Sequence, residues 1–193
     1  MAASPHLRSD AQANRARLLE AARAVFAERG LAAEMKEIAE RAGVGMGTIY
    51  RNFVNKEELV EALVREVIEA TMGLLAGTRG IDDPLARLRA ILGVAWSCAE
   101  ADGPLIVALG GAAGSEPPAE ILGELQRVLR DGQERGHFRS TVEVLPFCLF
   151  VAGQLETYLN MRRQLSTEAA AGAMTDLVVH AVLSPGATLS SEA

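Results

Sequence analysis

Apolar residues along the chain recur at steps of three and four, and no stretch alternates for long, so helices are predicted throughout. Leu18, Leu19, Ala22, Val25 and Phe26 form one stripe, with Arg15, Arg17, Glu20 and Arg23 opposite, and Gly30 is a suitable stop. Met35, Ile38, Ala39 and Ala42 predict a second helix of two turns that ends at Gly43. Glycines 43, 45 and 47 frame a tight turn into a third short helix carrying Ile49 and Phe53 at i, i+4. Asn55 is a strong N-cap, and Glu58 three residues later completes a capping-box-like pair. A fourth helix is expected from Lys56 to near Ala76, with Leu59, Leu63, Val67, Met72 and Leu75 on its apolar side.

Helical patterns resume at Pro84–Ala99, Pro104–Ala112, Pro118–Arg135, Val142–Arg163 and Thr167–Leu183. The breaks at Gly80–Asp83, Ala101–Gly103, Gly110–Pro118, Gly136–Ser140 and Leu165–Ser166 are short and carry Gly, Ser or Pro. The polar ends, before residue 10 and from Ser184, are expected to be frayed. The expected fold is all-α, with about nine helices. Residues 10–56 would form a three-helix domain with a helix-turn-helix at 34–53, residues 57–77 a connecting helix, and residues 78–184 a larger helical domain.

Composition agrees with this picture: 49% hydrophobic and 23% charged residues suit a globular chain, and only 4% aromatic residues favour helices packed through small contacts. Cys98 and Cys148 match no metal spacing and are expected to be reduced thiols in the core; no metal or cofactor is expected. Met1 to Asp10 lack the apolar stretch of a leader, and the longest charge-free apolar run, Val144–Leu155, falls short of the roughly 20 residues a membrane helix needs. A cytoplasmic protein with no membrane partner is the expectation. The net charge of −6 argues against nucleic acid until it is divided, for residues 1–56 carry +3 and residues 57–193 carry −9. A basic front on an acidic body keeps attraction for DNA at one end.

Two short helices joined by a glycine turn and packed on a longer first helix are what a helix-turn-helix requires. The second of them must present a thin, polar outer face to a major groove about 12 Å wide. If Ile49 and Phe53 face a small core with Phe26, Ile38, Ala39 and Val44, then Met46, Gly47, Thr48, Tyr50, Arg51 and Asn52 are left outside. Gly47 would let backbone and the Thr48 hydroxyl approach DNA closely, and the first amides of this helix suit a phosphate oxygen.

The segment from Ile38-Ala39-Glu40-Arg41-Ala42-Gly43-Val44 through Gly47-Thr48-Ile49-Tyr50 to Phe53, followed by Lys56 and Leu59, closely resembles the TetR (tetracycline-repressor-like) family. Its pattern I-A-x-x-A-G-V-x-x-G-T-x-Y-x-x-F is met at every fixed position, and Phe26-Ala27-Glu28-Arg29-Gly30 fits the end of the family's first helix. The resemblance covers about residues 12–65 and implies double-stranded DNA, a palindromic operator bound by a homodimer, as partner. It implies phosphate contacts from Thr48, Tyr50 and Lys56 and contacts at or near base edges from Met46, Gly47 and Arg51. Arg15 would add a phosphate contact, and Lys36 and Asn52 complete the expected DNA-facing set. Gly45 stands where many relatives carry serine, Glu34 where Thr, Ser or Pro often opens the second helix, and Gly30–Ile38 is one residue shorter than in many members.

For residues 78–184 the resemblance implies a dimer interface and a pocket for a small-molecule effector. Val142–Arg163 is apolar nearly all round and must be covered on more than one side. With the last helix, whose Ala169–Ala173 are small, it is the candidate dimer element. Trp96, Cys98, Phe147, Phe150, Gln154, Tyr158 and Met161 are the candidate pocket residues, and the effector is expected to be apolar or weakly polar. His137 and His180 have no spaced metal-ligand partners. Two other readings compete. One is a DNA-binding regulator controlled by protein partners. The other is a helical enzyme, for which Glu100 and Asp102 are the nearest acid–base pair; at a helix end beside Gly103 both are expected to be solvated, and Gly110–Gly114 lacks the strand and lysine of a phosphate loop.

Overall fold

The computed structural model describes residues 5–113 and 117–185, with backbone alone at 5–11, 31, 104 and 106–113. Residues 1–4 and 186–193 of the expected frayed ends, and Gly114–Glu116 of the expected break at Gly110–Pro118, lie outside the described residues. Among the described residues there are nine α-helices: α1 (Pro5–Arg29), α2 (Met35–Arg41), α3 (Met46–Asn52), α4 (Lys56–Ala76), α5 (Pro84–Ala113), α6 (Ala119–Glu134), α7 (Val144–Gly153), α8 (Leu155–Met161) and α9 (Thr167–Val182). A 3₁₀ turn, Gly30–Ala32, follows α1, and a single antiparallel bridge joins Phe138 to Leu183.

The helix boundaries depart from expectation in three places. α1 begins at Pro5, within the stretch expected to fray. The break expected at Ala101–Gly103 is absent, and α5 runs on through Pro104. A Cβ built on Gly103 would sit 2.7 Å from Leu159 Cδ1, so the glycine serves the close approach of α8 to α5. Pro104 then costs one backbone bond without ending the helix. Conversely, the long helix expected over Val142–Arg163 divides at Gln154, whose N–H turns back to Val151 O (3.0 Å) in a tight step after Gly153.

The chain falls into two compact units, Met1–Val67 with Pro104–Gly114, and Ile68–Gly103 with Ser115–Ala193. In the first, Leu18, Ala22, Val25 and Phe26 of α1 meet Ile38 and Ala39 of α2, Ile49 of α3, Phe53, and Leu59 and Leu63 of α4; Leu105 joins the same cluster. In the second, Leu88, Leu92, Trp96 and Ala99 of α5 pack with Leu125 and Val128 of α6, Phe147 and Val151 of α7, Tyr158 of α8 and Met174, Val178 and Val179 of α9.

The second unit also encloses the carboxylate of Glu124. Glu124 on α6 is wholly enclosed and receives three guanidinium groups: Arg79 Nε at 2.9 Å, Arg87 Nη2 at 3.2 Å and Arg127 Nη2 at 2.6 Å. It thereby ties the turn after α4 and the first part of α5 to α6. Burial pushes the Glu124 carboxyl up, but bonding to Arg79 and Arg127 outweighs it and holds the group below its usual value of 4.5. A carboxylate with a depressed folded pKa stabilises the fold above the unfolded value and loses that contribution as the pH falls through the folded one. Glu124→Gln is therefore expected to destabilise the protein by roughly 3 kcal/mol at neutral pH, because it strands the half-buried Arg87 and its neighbours. Urea denaturation checks this, and the deficit should shrink below about pH 4.5.

Candidate nucleic-acid interface

The turn between α2 and α3 is set by Gly43, which adopts φ +66°. Its N–H bonds Glu40 O (3.1 Å) and the next N–H, of Val44, bonds Ala39 O (3.0 Å), closing α2 with a left-handed cap that favours glycine. At the other end of α2, Glu34 opens the helix with a capping box, its N–H donating to Glu37 Oε2 (3.0 Å). α3 starts at Gly45 with no side-chain cap, as a glycine there dictates. α4 starts with the Asn55 carboxamide oxygen on Glu58 N (2.8 Å), while Glu58 reaches back to Val54 N (2.6 Å) and so ties down the residue before the cap.

α3 is seven residues long and has two distinct sides. Ile49 and, just past its end, Phe53 are completely buried, whereas Met46 is 39% and Tyr50 51% exposed. Gly47 and Arg51 share the exposed side, and Thr48 and Asn52 are half-buried at its margins. Asn52 is less free than expected: its Nδ2 donates to Thr48 O (2.8 Å). Arg51 lies back along its own helix, with Nε on Gly47 O (2.9 Å) and Nη2 3.5 Å from Thr48 Oγ1. A Cβ on Gly47 would meet only Arg51 Nη2, at 4.0 Å, so the fold itself leaves room for a side chain there.

The flanking cations are engaged with the protein. Arg15 of α1 lays its guanidinium over the Phe53 ring (4.4 Å to the centroid) and points Nη1 at Asn52 O (3.4 Å). Lys56 at the start of α4 donates to Ala33 O (3.1 Å). Lys36 is exposed on α2, 3.9 Å from Glu40. Sequence reasoning missed the ion pairs that brace this unit, Arg41–Glu28 (2.6 Å), Arg29–Glu37 (3.3 Å) and Arg23–Glu66 (3.3 Å). Bonding to Arg41 holds the exposed Glu28 carboxyl below its ordinary range. No periodic pattern marks such pairs, because their partners lie on different helices.

In the second unit the candidate pocket residues do not gather around one cavity. Trp96 and Tyr158 are fully buried and stacked (centroids 5.2 Å apart, planes 24° apart), and Trp96 Nε1 donates to Thr175 Oγ1 (2.9 Å). The Tyr158 hydroxyl donates to Glu100 Oε1 (2.8 Å), and Arg162 bonds the same carboxylate. Arg162 first, and Tyr158 second, hold the Glu100 carboxyl low, while burial and that carboxylate push the Tyr158 hydroxyl up to about 12. Of the pair expected to be solvated at a helix end, Glu100 is exposed but tied to α8, and Asp102 is buried, inside a helix that does not end there. The spacing Trp96–Glu100 and Tyr158–Arg162, each i, i+4, places each aromatic beside its charge and was the available signal. Cys98 lies with its sulfur 3.4 Å from Thr71 Oγ1, and Cys148 is buried, both as free thiols. Gln154 caps the α7–α8 junction and Met161 packs against the core. Phe147 and Phe150 instead line an open groove of about 490 Å³ with Val142, Pro146, Ala181 and Val182. Among the described residues no three His, Cys, Asp or Glu side chains are placed to hold a metal ion, and no helix is long and apolar enough to cross a membrane.

Comparison with known proteins agrees with this geometry. Residues 18–63 match the family model "Bacterial regulatory proteins, tetR family". The HTH-type transcriptional repressor KstR2 of Mycobacterium tuberculosis is 33% identical over 146 residues, covering 67% of this chain and 72% of that protein. The crystal structure of the TetR transcriptional regulator SCO0520 from Streptomyces coelicolor has 30% identity and a TM-score of 0.56, covering 88% of this chain and 98% of the other. The structure of the ketosteroid transcriptional regulator KstR2 of Mycobacterium tuberculosis shares the fold, with a TM-score of 0.67 at 23% identity and coverage of 89% and 95%. These relatives are regulators and not enzymes. With its helix-turn-helix in α2 and α3, the chain belongs to the tetR family of bacterial regulatory proteins and is a DNA-binding transcriptional regulator.

Proposed function

We propose that the protein is an effector-responsive repressor that binds a palindromic operator as a homodimer, with α3 as the reading helix. The observation that carries this is the split character of α3: Ile49 and Phe53 are buried, while Met46, Gly47, Tyr50 and Arg51 form an outward side. On this reading Tyr50 and Thr48 bond phosphates, and Met46, Gly47 and Arg51 face base edges. Arg51 would exchange its bonds to Gly47 O and Thr48 for a guanine edge, a contact worth about 1–3 kcal/mol of discrimination. Lys36, Asn52 and Lys56 border the same surface, with Lys56 also holding the Ala33 carbonyl. The working division is residues 10–56 for DNA, 57–77 as the connection and 78–184 for effector and dimer.

The second protomer would sit on α7 and α9. Leu149 is 52%, Phe150 43% and Leu177 64% exposed, an apolar cost that a single chain has no reason to bear. The groove at Phe147 and Phe150 continues this surface, which makes Phe150 a dimer contact in preference to an effector contact. On this reading the effector site lies at Trp96 and Tyr158, and Cys98, Gln154 and Met161 are kept as further candidate contacts. The two rings are stacked in contact, so an effector must part them to enter. An apolar ring system with a few polar groups suits such a site. The M. tuberculosis relative described as a ketosteroid regulator supports that class.

Selection of bound duplexes from random-sequence DNA is expected to recover a palindrome with half-sites about 34 Å apart or a multiple of that spacing. On the recovered duplex, Tyr50→Ala should weaken binding about tenfold, the loss of one good phosphate contact, with the melting temperature held. Gly47→Ala should leave the fold at least as stable and yet weaken binding; a gel shift at fixed salt reads both. Leu149→Glu with Leu177→Glu should raise the dimer dissociation constant about 100-fold or more, observed by sedimentation velocity. Thermal-shift screening of sterol-like and other polycyclic compounds tests the effector, and Trp96→Ala should abolish any shift that such a compound produces.

A further inference from the structure

Arg15 of α1 directs its charge at the end of the reading helix. Its guanidinium carbon lies 4.4 Å from the ring centroid of Phe53, the residue that follows α3 and is completely buried, and its Nη1 faces the carbonyl of Asn52, the last residue of α3. Both contacts act on the same few atoms. The carbonyl end of a helix carries partial negative charge, so a cation there is favourable. The ring face beneath it attracts the same cation, most strongly where water is excluded. A seven-residue helix cannot hold its own orientation through its backbone bonds. Ile49 fixes one point of α3 in the core, and rotation about that point would remain if nothing held the far end. Phe53 leaves the helix in extended backbone (φ −141°, ψ 118°), so its ring is turned back into the core where the α1 guanidinium covers it.

We propose that Arg15 is a positioning residue for DNA recognition: it clamps the C-terminal end of α3 through the Phe53 ring and the Asn52 carbonyl, setting the angle at which the outward side meets the groove. This rests on α3 being the reading helix, and it replaces the phosphate contact expected for Arg15. A planar, forked guanidinium is needed, because stacking and a directed N–H must be made at once; an ammonium has the charge without the plane.

Two measurements on the full-length protein test the clamp, using Arg15→Ala and Arg15→Lys. The first needs no DNA. Amide hydrogen exchange should quicken at Arg51, Asn52 and Phe53 in both variants, while α2 amides stay as in the wild type. Equal exchange at α3 in either variant and the wild type would overturn the proposal. The second uses the duplex recovered by selection and a scrambled duplex, across a salt series, well below each variant's melting temperature. A clamp predicts that both variants lose affinity for the selected duplex about tenfold, as a desolvated cation–π contact of ~1.4 kcal/mol would give. Affinity for the scrambled duplex should change little, and the salt slope should stay near that of the wild type. A phosphate contact predicts the opposite: Arg15→Lys near wild type, Arg15→Ala losing about 0.9 from the slope, and both duplexes affected alike. That result, or unchanged affinity for the selected duplex, would sink the clamp. If the wild type selects no duplex, the reading of α3 has failed, and hydrogen exchange still decides the clamp.

Discussion

The recognition side of this protein depends on the burial of two side chains, Ile49 and Phe53, in a core that α1, α2 and α4 have already built. An isolated helix of two turns is unstable in water, because nucleation costs more than its few hydrogen bonds return. α3 exists only because its inner side is anchored. The same anchoring fixes which residues face out, since a chain that buries Ile49 and Phe53, four apart, turns Gly47 and Arg51, each two residues from Ile49, to the opposite side. Everything proposed for DNA contact, from Tyr50 to Arg51, follows from that division of sides.

Around the anchor, charged side chains are used as ties more than as free charges. Arg15, Lys56, Arg41, Arg29 and Arg23 each engage a carbonyl, a ring or a carboxylate of a neighbouring element. Exposed pairs of this kind contribute little singly. Their value here is directional, because a guanidinium or ammonium bonded to a specific carbonyl sets where a helix end lies. Counting basic residues near the motif therefore overstates how many are free to meet phosphate.

In the second unit the balance between apolar filling and polar ties is different. Trp96 and Tyr158 occupy the middle of the helices, and each polar atom they carry is bonded, to Thr175 and to Glu100. Glu124 does the same for the turn after α4. Such buried groups restrict how the helices pack, for any alternative arrangement would strand a donor or a charge. A ligand entering this unit would have to satisfy, or displace, partners that are already satisfied.

Much of the first unit was legible in the chain. The stripe of α1, the Gly43 stop, the Asn55 cap and the i, i+4 pair Ile49/Phe53 are local features whose physics acts within a few residues, and the long motif match gave the helix-turn-helix its family. Local signals misjudged Gly103–Pro104, which looked like a helix end and is a close contact inside α5, and Val142–Arg163, which looked like one helix and is two. The same limit hid the partners of Arg15, Lys56, Glu100 and Glu124. By itself the sequence determined that the chain is helical, that a helix-turn-helix lies near its start, and which residues of that motif are inside. Only the tertiary structure decided which charges are bound and which remain outside, because a side chain's partner on another helix is set by how the helices approach, and no spacing along one chain records that distance.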